Sequence, residues 1–157
     1  MIKKENVNYK CSLHLDVFDN DNLINSIDKT NLLMDTGKLV LFEAMCNPSP
    51  LYGNVSSMIF GDSDVAVTVS DNTTSFGSYH INDTTGYVLD LVNYDNVKIY
   101  WQLIESEFNG KTLKTIGLIG SNRTYNYIFN RINLMVGEYI VKTPYIKVTG
   151  YWQIFLT

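Results

Sequence analysis

The chain has 157 residues and a formal net charge of -4, with 12 basic and 16 acidic side chains. This length fits one domain that folds without a disulfide or a metal. The acidic balance argues against nucleic acid or an anionic membrane as the main partner, because phosphate groups are bound by clustered Lys and Arg. Hydrophobic residues make up 45% of the sequence, which excludes intrinsic disorder.

The start of the chain carries no apolar run of signal-peptide length, and no segment approaches the roughly 18 apolar residues of a membrane span. We therefore expect a protein that is made and folded in a cytoplasm. The two cysteines, Cys11 and Cys46, form neither a disulfide framework nor a metal-binding pattern. The sequence leaves open whether both thiols are free.

Residues 1–30 are polar and uneven, and we predict that they form an N-terminal arm or an edge strand. Within them, 11–18 alternates in polarity, as a strand does. The Asp and Asn residues at 19–22 predict a turn, since these side chains bond to their own backbone. The main domain is predicted over 31–157.

One short α-helix is predicted near residues 37–46. Thr36 is a suitable N-cap, and Leu39, Phe42 and Met45 lie roughly on one helical face. The sequence Asn-Pro-Ser-Pro at 47–50 ends this helix, because proline lacks the N–H and restricts the residue before it.

Strands separated by turn residues are predicted after Pro50, so the predicted fold class is all-β, an antiparallel β-sandwich. Asn109-Gly110 predicts a two-residue hairpin turn with positive φ at both positions. The strand at 97–103 alternates, with Val97, Ile99, Trp101 and Leu103 inward. The predicted strands are 55–60, 65–69, 87–92, 97–103, 112–119, 125–131 and 145–156.

The last strand has two contrasting faces. Ile146, Val148, Trp152, Ile154 and Leu156 form an apolar face that belongs in a core. The opposite face carries aromatic residues, which a solvated sheet face does not usually do. Either a loop covers that face, or it contacts another subunit, where Tyr is enriched. The interface candidates are Tyr145, Tyr151, Phe155, Tyr125 and Tyr127.

No residue pattern predicts an enzyme, a cofactor or a resident metal. His14 and His80 stand outside any metal-binding or nucleophile motif. The acidic residues at 62–64, with Asp71, could hold a hard cation, but they lack the EF-hand pattern and a polar turn is the simpler interpretation. Glu105 and Glu107 could serve glycoside hydrolysis only at a fixed spatial separation.

Four segments follow one another in a distinctive order. The first is an Asn-rich start before the predicted helix, and the second is a glycine-containing strand followed by a Ser/Thr loop. The third is an Asn-Gly turn followed by Ile-Gly-Leu. The fourth contains an Arg, then a Lys-Thr step and then a strand with a Trp. They occupy 31–37, 59–74, 107–119 and 131–154. This ordered set resembles the β-rich domain of tail-fibre and baseplate proteins of tailed bacteriophages. In that family an acidic residue usually comes just before the Ile-Gly-Leu step, whereas this chain has Thr115 there. A second difference is length, since the domain would lack the long shaft of a fibre.

The resemblance implies a non-enzymatic structural component of a phage tail: a baseplate, tail-tip or fibre-attachment adaptor located in the virion. The implied partners are copies of itself, as a trimer or ring, and other tail proteins. Two alternatives stay open. One is another virion part, such as a connector or a capsid-attached protein.

The other alternative is a carbohydrate-binding β-sandwich module, in which Tyr100, Trp101, Tyr125 or Tyr127 would stack on a sugar. A host-surface glycan as partner would merge this alternative with the tail hypothesis. Core packing is the competing interpretation for these rings, above all for Trp101.

Overall fold

The computed structural model describes residues 9–31, 37, 55–91, 93, 96–121 and 126–156. Antiparallel β-strands dominate them, which confirms the all-β prediction. The predicted helix at 37–46 lies outside the described residues, apart from Gly37. The strands are β1 (Tyr9–Asp19), β2 (Asn22–Asn31), β3 (Val55–Gly61), β4 (Tyr79–Asp83), β5 (Gly86–Leu89), β6 (Asn96–Leu103), β7 (Thr112–Leu113), β8 (Thr115–Ser121), β9 (Asn126–Asn133), β10 (Ile140–Val141) and β11 (Ile146–Leu156).

The strands form two larger sheets and one small one. The five-stranded sheet has the order β2-β1-β11-β6-β5, and the four-stranded sheet has the order β4-β3-β8-β9. β7 pairs only with β10. Short 3₁₀ turns occur at Thr73–Phe76 and Val136–Glu138.

One hydrophobic core joins the inner faces of the two larger sheets. The rings of Phe60 on β3 and Trp101 on β6 lie 5.4 Å apart, centroid to centroid. This contact supports the predicted sandwich arrangement, which stays a prediction. Buried core residues from the five-stranded sheet include Leu13, Leu15, Trp101, Val148 and Trp152, and those from the four-stranded sheet include Met58, Phe60, Ile116, Leu118 and Phe129.

Residues 9–31 form two strands of the five-stranded sheet, where an N-terminal arm or an edge strand was predicted for 1–30. β1 is an interior strand, paired with β11 from Tyr9–Leu156 to Asp19–Ile146 and with β2 on its other side. Of these two strands, only β2 lies at a sheet edge. The two-residue turn between them has positive φ at both Asn20 and Asp21, the combination that a type I′ hairpin requires.

The hairpin predicted at Asn109-Gly110 is wrong. β6 and β8 belong to different sheets, and of these two residues only Gly110 has a positive φ, of 76°. The Gly110 N–H instead donates to the Lys142 carbonyl at 3.0 Å, and the Lys142 N–H donates to the Lys111 carbonyl at 2.9 Å. The loop is therefore fixed by a distant segment as well as by local hydrogen bonds, such as that from Asn109 Nδ2 to the Glu105 carbonyl at 2.8 Å.

The strand predicted at 65–69 is also wrong, since this stretch is an irregular loop. The Val65 carbonyl accepts hydrogen bonds from Arg131 at 3.0 Å and Asn133 at 2.8 Å, instead of joining a sheet ladder. Val67 packs on a second, small core formed with the outer face of the four-stranded sheet. That core contains Ile59, Phe76, Ile119 and Ile128.

Candidate interaction surface

The free edge of β5 is apolar and open to solvent. Tyr87, Val88 and Leu89 are 71%, 56% and 53% exposed. β5 pairs with β6 on one side only, and no other described strand pairs with its outer edge. Such an edge offers unpaired backbone groups together with apolar side chains, a combination that invites another strand.

The inner face of β5 is exposed because the second sheet does not cover it. Tyr87 and Leu89 lie opposite Ile99 and Val97 of β6, which contact the core. Their own side chains nevertheless meet solvent. β5 thus extends the five-stranded sheet beyond the core that the two sheets share.

The opposite edge of the sheet, β2, is protected by charge. Lys29 Nζ lies 2.5 Å from Glu138 Oε1, and Asp28 bonds to His14 at 2.8 Å. Charged side chains on an edge strand hinder pairing with another chain. The two edges of one sheet therefore differ in their readiness to associate.

An aromatic row crosses the outer face of the five-stranded sheet. His14, Tyr151 and Tyr100 occupy directly opposite positions on β1, β11 and β6. The His14 and Tyr151 rings stack with centroids 5.0 Å apart, and the Tyr151 and Tyr100 rings are tilted, 5.6 Å apart. Lys98 Nζ lies 4.4 Å from the centroid of Tyr151, a favourable cation–π distance.

The imidazole of His14 lies between two carboxylates. Its Nδ1 is 2.8 Å from Asp28 Oδ1, and its Nε2 is 3.4 Å from Asp16 Oδ2. Burial alone would lower the pKa of His14, but the hydrogen bond and charge of Asp28, together with Asp16, raise it above the usual value. The carboxylates thus favour the protonated ring.

A second row of residues, Asp16, Thr149 and Gln102, runs parallel to the aromatic row on the same face. Between the two rows lies an open groove of about 390 Å³. The paired segments 100–102 and 149–151 form its floor, and Thr85 lies at its far end. Side chains of contrasting chemistry therefore face each other across the groove.

The structure describes four of the five residues predicted as interface candidates, and these four differ in their exposure. Tyr151 and Phe155 lie half-buried on the outer face of β11, and Tyr145 is 62% exposed just before that strand. Tyr127 is only 3% exposed, so it cannot offer its ring to a partner or a sugar, and that prediction is corrected. Tyr125 lies outside the described residues.

Neither His14 nor the β5 edge was predicted from the sequence as a surface feature. If 11–18 is a strand, its alternation places His14 on the face opposite Leu13 and Leu15. The outward position of His14 could therefore have been predicted from the sequence. The exposure of Tyr87 and Leu89 depends on how far the second sheet extends, which the local sequence does not encode.

The acidic residues considered as cation ligands each face a cationic side chain. Asp62 Oδ2 lies 3.9 Å from Lys111 Nζ, Asp64 Oδ2 lies 3.3 Å from Lys114 Nζ, and Asp71 Oδ2 lies 2.6 Å from Arg131 Nη1. Among the described residues, no group of three His, Cys, Asp or Glu side chains is placed to hold a metal ion.

Arg131 is fully buried and ties the loop before β4 to the four-stranded sheet. Besides Asp71, it donates from Nε to the Thr115 hydroxyl at 3.0 Å, and Thr115 in turn donates to the Ile132 carbonyl at 3.0 Å. Burial would raise the pKa of Asp71, but hydrogen bonds from Thr68 and Arg131 hold it below the usual value. Asp71 therefore supplies a carboxylate to Arg131, and Thr115 supplies a neutral acceptor.

Cys11 is a free, buried thiol on the inner face of β1. Burial raises its pKa to about 12, so the reactive thiolate is suppressed at neutral pH. Cys46 lies outside the described residues. Of the helices within the described ranges, none has the length and apolar character needed to cross a membrane.

Comparison of the chain with protein-family models, with curated proteins and with solved structures finds no match.

Proposed function

We propose that the chain is a non-enzymatic structural component of a phage tail, in the baseplate, the tail tip or a fibre-attachment adaptor. It would assemble symmetrically with copies of itself and with other tail proteins, in a virion whose parts are made in the host cytoplasm. The ordered set of sequence segments supports this proposal. Another virion role, as a connector or capsid-attached protein, requires the same kind of contact and is the runner-up.

The observation that carries the proposed assembly is the apolar free edge of β5. A neighbouring strand that continued the sheet would pair the open backbone groups of Gly86–Leu89. It would also cover Tyr87, Val88 and Leu89, which are exposed in the single chain. Leu91 is exposed as well, so the apolar surface continues past the strand.

Light scattering of the purified chain over a hundredfold concentration range tests this proposal. We expect a discrete trimer, hexamer or larger ring in the wild type. Val88→Lys should convert it to a monomer, because lysine on an edge strand opposes pairing with another strand. A small loss of thermal stability is expected, since Val88 lies opposite Lys98 and like charges in opposite positions repel. Val65→Lys is the matched control, since Val65 is similarly exposed but belongs to the 62–68 loop.

A monomeric wild type at every concentration would contradict self-assembly through β5. An oligomer that persists in Val88→Lys would place the contact elsewhere. A particle with only two-fold symmetry would contradict the proposed trimer or ring, which electron microscopy of the purified assembly would reveal directly.

A further inference from the structure

The groove on the outer face of the five-stranded sheet has two chemically different walls. One wall is the aromatic row of His14, Tyr151 and Tyr100, and the other is the polar row of Asp16, Thr149 and Gln102. Rows two residues apart along a strand are separated by roughly 7 Å. On β1 the two rows touch, since His14 Nε2 lies 3.4 Å from Asp16 Oδ2. A flat ligand ring would therefore enter on the β11 and β6 side, between Tyr151 and Tyr100 on one wall and Thr149 and Gln102 on the other.

The polar wall contains hydrogen-bonding groups that are free to bind a ligand. Within the described part of the chain, the Gln102 amide and the Thr149 hydroxyl make no hydrogen bond. The Asp16 carboxylate is held in place by the Ser26 hydroxyl at 2.5 Å and by His14 at 3.4 Å. An oriented carboxylate beside a free amide and a free hydroxyl can accept from, and donate to, several ligand hydroxyls.

The rings of the aromatic wall are held in position by neighbouring side chains. Tyr151 is held by His14 on β1, Tyr100 on β6 and the Lys98 ammonium, and His14 is itself anchored by Asp28. Ring positions fixed in this way lose little conformational freedom when a ligand stacks on them. Tyr100 is the most exposed ring of the row, so it offers the open stacking surface.

The charges of the groove select the ligand class. Asp16 faces the groove, and none of the described residues that line it is Lys or Arg. A phosphate, sulfate or carboxylate on the ligand would be repelled by Asp16. The nearby cations are already engaged, His14 by Asp16 and Asp28 and Lys98 by the Tyr151 ring. A purely apolar ligand would leave the polar wall unpaired, at a cost in free energy.

We propose that this groove binds a neutral glycan, with a pyranose ring stacked on the aromatic row and its hydroxyls bonded to Asp16, Thr149 and Gln102. A pyranose has one apolar C–H face and a rim of hydroxyls, which matches the two walls. The volume of about 390 Å³ lies within the range of small-ligand sites. This binding activity is separate from assembly through β5.

The test is a glycan array of neutral hexose and hexosamine oligosaccharides with sialylated and sulfated counterparts, probed with the labelled full chain. Isothermal titration with the strongest neutral oligosaccharide follows. We expect Tyr100→Ala and Gln102→Ala each to weaken binding about tenfold. Tyr79→Ala is the matched control, because Tyr79 is an exposed tyrosine on β4, outside both the groove and the β5 edge.

Three results would overturn the glycan proposal: no binding of any neutral glycan, binding of acidic glycans alone, or equal affinity in the wild type and both groove variants. Thermal unfolding of each variant checks that the fold is intact, and Gln102→Ala, which removes an exposed side chain, keeps the test valid if Tyr100→Ala does not fold. Light scattering of the groove variants separates the two proposals, since their oligomer size should equal that of the wild type.

Discussion

Alternate residues of β11 belong to one strand but meet two different environments. On the inner face, Val148 and Trp152 are fully buried in the core between the sheets. On the outer face, Thr149 and Tyr151 line an open groove. Neighbouring residues of the same strand therefore contribute to different parts of the protein, the core on one side and the groove proposed to bind a glycan on the other.

The two faces also differ in whether their polar atoms have hydrogen-bond partners or meet solvent. On the inner face, the indole N–H groups of Trp101 and Trp152 are buried without a hydrogen-bond partner among the described residues, so packing outweighs the cost of two unpaired donors. On the outer face, His14 and Asp16 are hydrogen-bonded, and Gln102 stays free in solvent. The inner face therefore depends on close packing, whereas the outer face keeps its polar groups hydrogen-bonded or in solvent.

Trp152→Ala is expected to have the largest effect on the comparison of the two faces. Removing this buried ring should lower the free energy of unfolding by about 3–5 kcal/mol, because it leaves a cavity in the core. Thr149→Ala on the outer face should change it by about 0.5 kcal/mol or less. Urea denaturation measures both, and a change in oligomer size with little loss of stability in Trp152→Ala would assign Trp152 to an interface.

Gly150→Ala should have the next largest effect, because its missing side chain points toward the core. An added Cβ would lie 2.8 Å from Trp101 Cζ2 and closer still to the His14 carbonyl oxygen. We expect a loss of about 1–3 kcal/mol from this overpacking. Gly137→Ala is the control, since a Cβ there meets nothing within 4 Å; equal stability of the two variants in chemical denaturation would show that the sheet accommodates the methyl group.

His14 should give the smallest effect, a pH-dependent one confined to the outer face. Its pKa is raised in the folded state, so its ion pairs stabilise the fold fully below the unfolded pKa of about 6.5 and lose that contribution as pH rises through the folded pKa. The wild type should exceed His14→Gln in stability by less than about 1 kcal/mol at pH 6.

Urea unfolding of the wild type and His14→Gln at pH 6 and pH 8 would measure this difference. It should shrink at the higher pH. A difference that grows with pH would contradict the assigned roles of Asp16 and Asp28.

The inner face of the five-stranded sheet could largely be predicted from the sequence. In β6 and β11, apolar residues alternate with polar or aromatic ones, so Trp101 and Trp152 were correctly assigned to the core. Local alternation suffices there, because only one face of each strand is covered by the second sheet.

The errors arose where distant residues decide the structure. The 65–69 segment alternates like a strand, but Arg131 and Asn133 capture the Val65 carbonyl. Asn109-Gly110 has the composition of a hairpin turn, but its loop is fixed by Lys142. The groove likewise combines residues from β1, β6 and β11, and their lateral order cannot be derived from any one segment.

The pairing of β1 with β11 has a consequence for how the protein is synthesised. β1 pairs along its whole length with residues more than a hundred positions later in the chain, so its partner is still untranslated when β1 leaves the ribosome. Until then, Cys11, Leu13, Leu15 and Val17 lack their final neighbours on β11. Pairings of such long sequence separation fold slowly and expose strands to misassembly. The centre of the five-stranded sheet can therefore close only after translation has reached β11.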